Sequence, residues 1–343
     1  MMPAKPPILI VPYMWIGDFV RCHSAAKLLN EQYPDRPIDM LSSTLCAPLV
    51  DYMPGVRKAV VFDLPRGRLA LGQQRALADR LRKENYAQAI VMPRTWKSAL
   101  APWLAGIPVR TGFLGEMRFG LINDVRSGEK TLPRMIDRMG VLALPRGAKP
   151  RGQWPMPEIR VPLDEISKWR ATNGLTHDKR RVVALAPGAV GSGKAWPVEH
   201  YAALAKILGD EGYAVWVLGG PNEKALAAQI VAAGGNSVRD LTGTELRNAV
   251  VALSAADAAV ANDSGLMHIA AAIGAPTVAI FGPSSPTHWA PLNPLAAILE
   301  PPDEDLKERA RHEGNSALRH RRTADVSVDV VADAVRNALT KKR

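Results

Sequence analysis

Asp18 stands where the first apolar run gives way to a helical pattern, in Pro12-Tyr13-Met14-Trp15-Ile16-Gly17-Asp18. A carboxylate there has two readings. It can cap the helix, which is worth about 1 kcal/mol, or it can take a proton as a general base; the two can coexist. Asp263 and Ser264 hold a similar position later, in Asn262-Asp263-Ser264-Gly265-Leu266-Met267-His268. Either can cap the helix that follows, whose free backbone N–H groups form an anion site. His268 lies about one turn further in; a lone helical histidine is usually structural, but this one is close to Asp263. A third segment, Gly188-Ala189-Val190-Gly191-Ser192-Gly193-Lys194-Ala195, combines small residues with one cation. Its glycines let N–H groups approach an anion and Lys194 adds a point charge, although a flexible connection would look the same. It is not a Walker loop, because Ala195 stands where a hydroxyl is required. The turn Phe281-Gly282-Pro283-Ser284-Ser285-Pro286 is again rich in small residues. Together these loops suit a ligand that carries phosphates.

The first half carries Arg94, Lys97, Arg110, Arg118 and Arg126. Such side chains suit anionic oxygens, arginine especially for two-pronged contacts; a solvated basic face has the same composition. The whole chain has 343 residues, with 44 Lys and Arg against 33 Asp and Glu, a net charge of +11. That excess suits nucleic acid, an anionic membrane face or a phosphorylated substrate, and equally a merely soluble surface. No RNA-recognition or helix-turn-helix pattern is visible. The dinucleotide fingerprint G-x-G-x-x-G is missing after the first strand. Cys22 and Cys46 are the two cysteines, so a disulfide framework is excluded and the reducing cytoplasm is the default. No Cys/His cluster has zinc spacing. No apolar run reaches the roughly 18 residues of a membrane span, and the start does not read as a secretory signal.

These residues need elements to hold them. Ile8–Val11 is a short β-branched run, followed by a helical stretch from about Asp18 to Gln32. Strand and helix then alternate through Ile38–Leu41, Ala47–Met53, Ala59–Phe62, Leu71–Glu84 and Ala89–Met92. A proline-rich stretch from Pro145 to Pro162 reads as a domain edge. After a helix over Leu163–Asn173, alternation restarts with strands at Val182–Leu185, Ala214–Leu218, Ala258–Ala261 and Thr277–Phe281. Helices fall at His200–Glu211, Glu223–Ala233, Leu246–Ala255 and Gly265–Ile273. The charged segment Asp303–Arg322 reads as surface, and Ser327–Leu339 as a last amphipathic helix. The fold class is therefore α/β, with two parallel-sheet, Rossmann-like domains in tandem. Ligands of such sheets bind outside the strand C-termini, where the residues above lie.

Val260-Ala261-Asn262-Asp263-Ser264-Gly265-Leu266-Met267-His268 together with Phe281–Pro286 and Trp15-Ile16-Gly17-Asp18 resembles the lipopolysaccharide heptosyltransferases. Lys97-Ser98-Ala99-Leu100 and the stretch from Gly106 through Gly115-Glu116-Met117-Arg118 to Arg126 are similar to the heptosyltransferase II subgroup. The likeness spans about Ile8 to Trp289. It implies a GT-B fold, with the active site in the cleft between the two domains: an acceptor-binding domain over 1–155, a nucleotide-sugar domain over 156–322, and a helix at 323–343 packing back on the first domain. It implies inverting transfer from ADP-L-glycero-β-D-manno-heptose to the first heptose of the inner core. The acceptor would be lipid A bearing Kdo and heptose, met at the cytoplasmic leaflet by a peripheral cytoplasmic protein. By the same resemblance Asp18 is the base, Lys194 a diphosphate contact, Asp263, Ser264, Gly265 and His268 the donor turn, and Glu223 a ribose contact. Arg94, Lys97, Arg110, Arg118 and Arg126 would hold the acceptor's anionic groups. No cofactor, metal or nucleic acid is expected. Relatives usually carry a basic residue where this chain has Ala195. A related transferase with another sugar donor or acceptor, or a non-catalytic basic protein binding nucleic acid or membrane, are the competing readings.

Overall fold

A strand covered by helices on both sides can carry apolar residues at every position. The computed structural model, which describes residues 5–65, 69–243, 245–302, 312 and 314–341, has such strands at the centre of two separate sheets. The chain divides into two units, Met1–Glu158 and Ile159–Arg343.

The first unit runs β1 (Ile8–Val11), α1 (Ile16–Gln32), β2 (Ile38–Ser42), α2 (Ala47–Val50), β3 (Lys58–Val61) and α3 (Leu71–Lys83). It continues with β4 (Gln88–Val91), α4 (Trp96–Leu104), β5 (Val109–Phe113), β6 (Asp124–Arg126) and α5 (Met135–Ala143). All its strands are parallel, in the order β3-β2-β1-β4-β5-β6. Leu9, Val11, Val91, Leu77 and Leu81 meet in one core. Gly140 inside α5 is required by packing: a Cβ there would fall 2.4 Å from the Trp154 ring, whose indole N–H donates to Asp137 at 2.7 Å.

The second unit runs α6 (Leu163–Thr172), β7 (Val182–Ala186), α7 (Val198–Asp210), β8 (Ala214–Val217), α8 (Lys224–Gly234), β9 (Val238–Asp240) and α9 (Leu246–Ala255). Then come β10 (Ala258–Asn262), α10 (Gly265–Ile273), β11 (Thr277–Ile280), α11 (Pro286–Trp289), β12 (Ala297–Leu299) and α12 (Val328–Thr340). Its order, β12-β11-β10-β7-β8-β9, repeats the first sheet's topology. Both are the doubly wound 3-2-1-4-5-6 arrangement, which binds ligands where the strand order reverses. Those points lie between β1 and β4, paired Val11 to Val91, and between β7 and β10, paired Ala186 to Ala261.

Two expectations change. The boundary falls at Glu158/Ile159 rather than after 155. The peptide there is tied on both sides: Glu158 N–H donates to His23 Nδ1 at 2.9 Å, and Ile159 N–H to Ala272 O at 2.9 Å. The last helix, expected to pack on the first domain, has its apolar stripe inside its own unit. Val331, Ala332, Val335, Ala338 and Leu339 of α12 enter the second unit's core beside Leu204, Val260 and Val278. Its apolar stripe is satisfied there, and the chain before it is fixed by the Trp196 indole N–H donating to Val326 O at 2.9 Å. Half of the charged segment Asp303–Arg322 lies outside the described residues.

Candidate active site

In the first unit, the loops after β1 and β4 leave the sheet side by side. Asp18 is the third residue of α1, and the N-cap is Trp15. The carboxylate therefore sits in the first turn, where the helix dipole favours its charged form. It is 14% exposed and lies 3.8 Å from the buried Arg21 guanidinium. Tyr13 precedes it in the loop. Burial, with Cys22, Glu129 and Asp18 nearby, holds the Tyr13 phenol well above its ordinary pKa. A carboxylate beside a neutral phenol can accept a proton from a hydroxyl.

The five basic residues separate into two groups. Arg94 is half-exposed and pairs with Glu129 at 3.1 Å. Lys97 is the second residue of α4 and is partly exposed. The other three are held by groups of their own unit. Arg110 donates to the carbonyls of Leu121, Ile107 and Gly120. Arg118 is 1% exposed and donates to Pro93 O at 2.6 Å, Thr95 O at 3.1 Å, Ser98 Oγ at 3.2 Å and Phe113 O at 2.6 Å. Burial pushes its guanidinium down to about 10. Arg126 is buried against Asp124 at 2.8 Å and donates to Leu144 O. Arg118 fastens the β4–α4 loop to the end of β5 and so positions Arg94 and Lys97.

In the second unit, Lys194 donates to Asp263 at 2.7 Å. An ammonium has three N–H donors, so two remain for a ligand. Ser264 is the N-cap of α10 and makes no capping bond. Its hydroxyl and that of Ser284 are buried without a partner among the described residues. Gly265 opens the helix, and His268, one turn in, is buried. The turn at Gly282-Pro283 approaches the Lys194 loop, since a Cβ on Gly193 would meet the Pro283 ring at 3.5 Å. These groups bring one cation, two hydroxyls and a helix N-terminus together, a combination that binds phosphate oxygens. Glu223 lies against Gly188 and accepts the Gly220 N–H at 2.7 Å, which places it beside the same loop.

The sequence reading overlooked Asn262. It is fully buried at the end of β10. Its amide donates to Pro187 O at 2.7 Å and accepts from Trp196 N–H at 3.0 Å and the Tyr201 hydroxyl at 3.2 Å. Thr323 adds a hydroxyl donated to Ala195 O at 2.6 Å. These bonds hold both ends of the Lys194 loop. An amide at the last position of a strand facing a glycine-rich loop was the available signal. Among the described residues, no group of three or more His, Cys, Asp or Glu could hold a metal ion.

The sequence profile of glycosyltransferase family 9 (heptosyltransferase) matches residues 74–317. The chain is 40% identical over 303 residues to lipopolysaccharide heptosyltransferase 2 of Escherichia coli K12, covering 85% of this chain and 87% of the relative. It is 34% identical over 348 residues to lipooligosaccharide heptosyltransferase 2 of Haemophilus influenzae, covering 97% and 99%. The solved structure of E. coli ADP-heptose lps heptosyltransferase II shares its fold with a TM-score of 0.83 at 35% identity, over 97% of this chain and 98% of that one. The chain belongs to glycosyltransferase family 9, the heptosyltransferases, and is a glycosyltransferase with two α/β domains of the GT-B class. Within that family, its similarity at 34–40% identity runs to members named heptosyltransferase 2.

Proposed function

We propose that this chain moves heptose from ADP-L-glycero-β-D-manno-heptose, with inversion, to the first heptose of the lipopolysaccharide inner core. The observation that carries the reading is the pairing of equipment with topology. Each sheet has its reactive residues at its own switch point: Asp18 in the first, and Lys194 with the α10 N-terminus in the second. Likeness to the heptosyltransferase 2 relatives over nearly the whole chain supports the choice of donor and acceptor.

In this reading the bond from the anomeric carbon to ADP breaks, with its electron pair leaving on the diphosphate. Lys194, held by Asp263, and the N–H groups and hydroxyl at Ser264-Gly265 stabilise that developing charge, the kind of preorganised field that supplies much of catalysis. His268 packs behind that turn, and the free oxygen of Glu223 takes a ribose hydroxyl. The acceptor hydroxyl attacks the opposite face of the sugar and its proton passes to Asp18. Arg94 and Lys97 attract the acceptor's phosphates and carboxylates. Charge compensation by protein groups makes a resident metal unnecessary. The acceptor is lipid A bearing Kdo and heptose, so the protein works peripherally at the cytoplasmic leaflet, with no nucleic-acid partner. Among the described residues no helix is long and apolar enough to cross a membrane. The test is transfer from ADP-heptose to a heptose-terminated acceptor in the presence of a chelator, read by product mass. Mass gain of one heptose supports the reading; no transfer, or transfer that the chelator stops, overturns it.

A further inference from the structure

Two side chains in one loop of the first unit take no part in that chemistry. Between β5 and β6, Glu116 and Met117 are consecutive non-glycine residues with φ of +45° and +49°. L side chains crowd the backbone in that region, so such a pair persists only where its surroundings hold it. Here they do. The Glu116 carboxylate accepts Trp96 N–H at 3.1 Å. Arg118 is pinned by the carbonyls described above, and Gly115 lies so close to Arg94 that a Cβ would fall 2.7 Å from its carbonyl oxygen. The result is that Met117 and Phe119, on either side of a buried arginine, are 83% and 70% exposed. Holding two large apolar side chains rigidly in water contributes nothing to folding, so a partner is the physical reason for the arrangement.

The same edge of the sheet repeats the theme. Trp15 after β1, Leu45 after β2, and Leu69 and Leu71 after β3 are exposed as well. Lys130 after β6 is an exposed cation on that edge, and Arg94 after β4, paired with Glu129, is half-exposed there. Apolar tips scattered over separate loops, with cations between them, differ from a protein interface, which gathers its apolar residues into one core. Aromatic, Leu and Met side chains interleaved with Lys and Arg are the composition of an interfacial anchor. The geometry points to a lipid-facing surface: the C-terminal edge of the first sheet, led by Met117 and Phe119, docks on an anionic bilayer. This rests on the proposed acceptor, a lipid-anchored saccharide whose hydroxyl must reach Asp18 on that same edge.

The experiment compares the full-length chain with Met117→Ser/Phe119→Ser, after equal melting temperatures show that both are folded; Phe119→Leu alone serves if the double variant is unstable. Binding is read by co-sedimentation with vesicles of phosphatidylethanolamine containing phosphatidylglycerol or cardiolipin. Activity is read separately on a delipidated, water-soluble acceptor. The expected result is binding of the unaltered chain to anionic vesicles, weakened roughly tenfold or more in the variant by the loss of apolar insertion, with unchanged kcat/KM on the soluble acceptor. Equal vesicle binding by the two proteins overturns the proposal. So does a loss of kcat/KM on the soluble acceptor, which would make the tip a saccharide contact. Vesicle binding without any transfer by the unaltered chain would instead refute the functional reading and leave the lipid surface standing.

Discussion

Asp18 and Lys194 both carry charge at a helix mouth, but the chemistry asks different things of them. In the proposed reaction Asp18 accepts a proton, so Asp18→Asn should lower kcat by about 10²–10⁴-fold while calorimetry finds ADP affinity unchanged. A rate within a few-fold of normal would leave the carboxylate only its favourable place in the first turn of α1. In the same proposal Lys194 holds a charge that appears as the donor leaves. A charge-assisted hydrogen bond is worth roughly 1.5–3 kcal/mol, so Lys194→Ala should weaken ADP binding by about 10- to 150-fold; unchanged affinity would remove it from the site. Arg118 is a third kind of residue. It was read from charge as a ligand contact, and charge alone does not say whether a guanidinium faces a ligand or its own backbone. Arg118→Met should cost about 2–5 kcal/mol of stability, because it leaves buried carbonyls without donors. A stable variant with a raised acceptor KM would return Arg118 to the binding surface.

At the scale of elements, the strongly apolar segments were legible. β1, α9 and α10 have the bounds that the residue pattern gives them, because each is a short buried run bracketed by turn residues. β5 and the edge strand β6 beside it were not legible. They carry Arg110, Thr111, Asp124 and Arg126, and their side chains fold back on carbonyls and on one another, which no alternation of polar and apolar residues records. The final helix was legible as a helix but not in its packing, since an amphipathic stripe fits any apolar surface. The tie between α1 and the domain boundary has its own pH signature. His23 accepts Glu158 N–H at Nδ1 and donates from Nε2 to Pro54 O at 2.8 Å, a neutral ring. Burial lowers it from 6.5 to about 4. Between those values the unfolded chain binds more protons, so the stability this ring contributes is complete above pH 6.5. It is lost as the pH falls toward 4, by up to about 3 kcal/mol. Urea unfolding at pH 7.5 and pH 5 should show a steeper loss for the unaltered chain than for His23→Asn; equal slopes would contradict it.

For the whole molecule, the placement of α12 decides what a shortened chain would lose. Ending the chain at residue 326 removes five apolar side chains from the second core, each worth roughly 1–3 kcal/mol, against a typical domain stability of about 5–15 kcal/mol. ADP binding should disappear while the first unit keeps its own unfolding transition, as followed by calorimetry; a shift confined to the first unit would mean that the helix packs there. The single crossing at Glu158 also sets a timetable for synthesis. A ribosome adds about 5–20 residues per second, so the first unit emerges with its sheet and core complete some tens of seconds, at most, before the rest has been made. It can fold alone on the ribosome. The second unit cannot close until α12 has followed, because that helix covers β10 and β11. During that interval the apolar strands of the second unit stand open, which makes the later half of the chain the one that calls on chaperones.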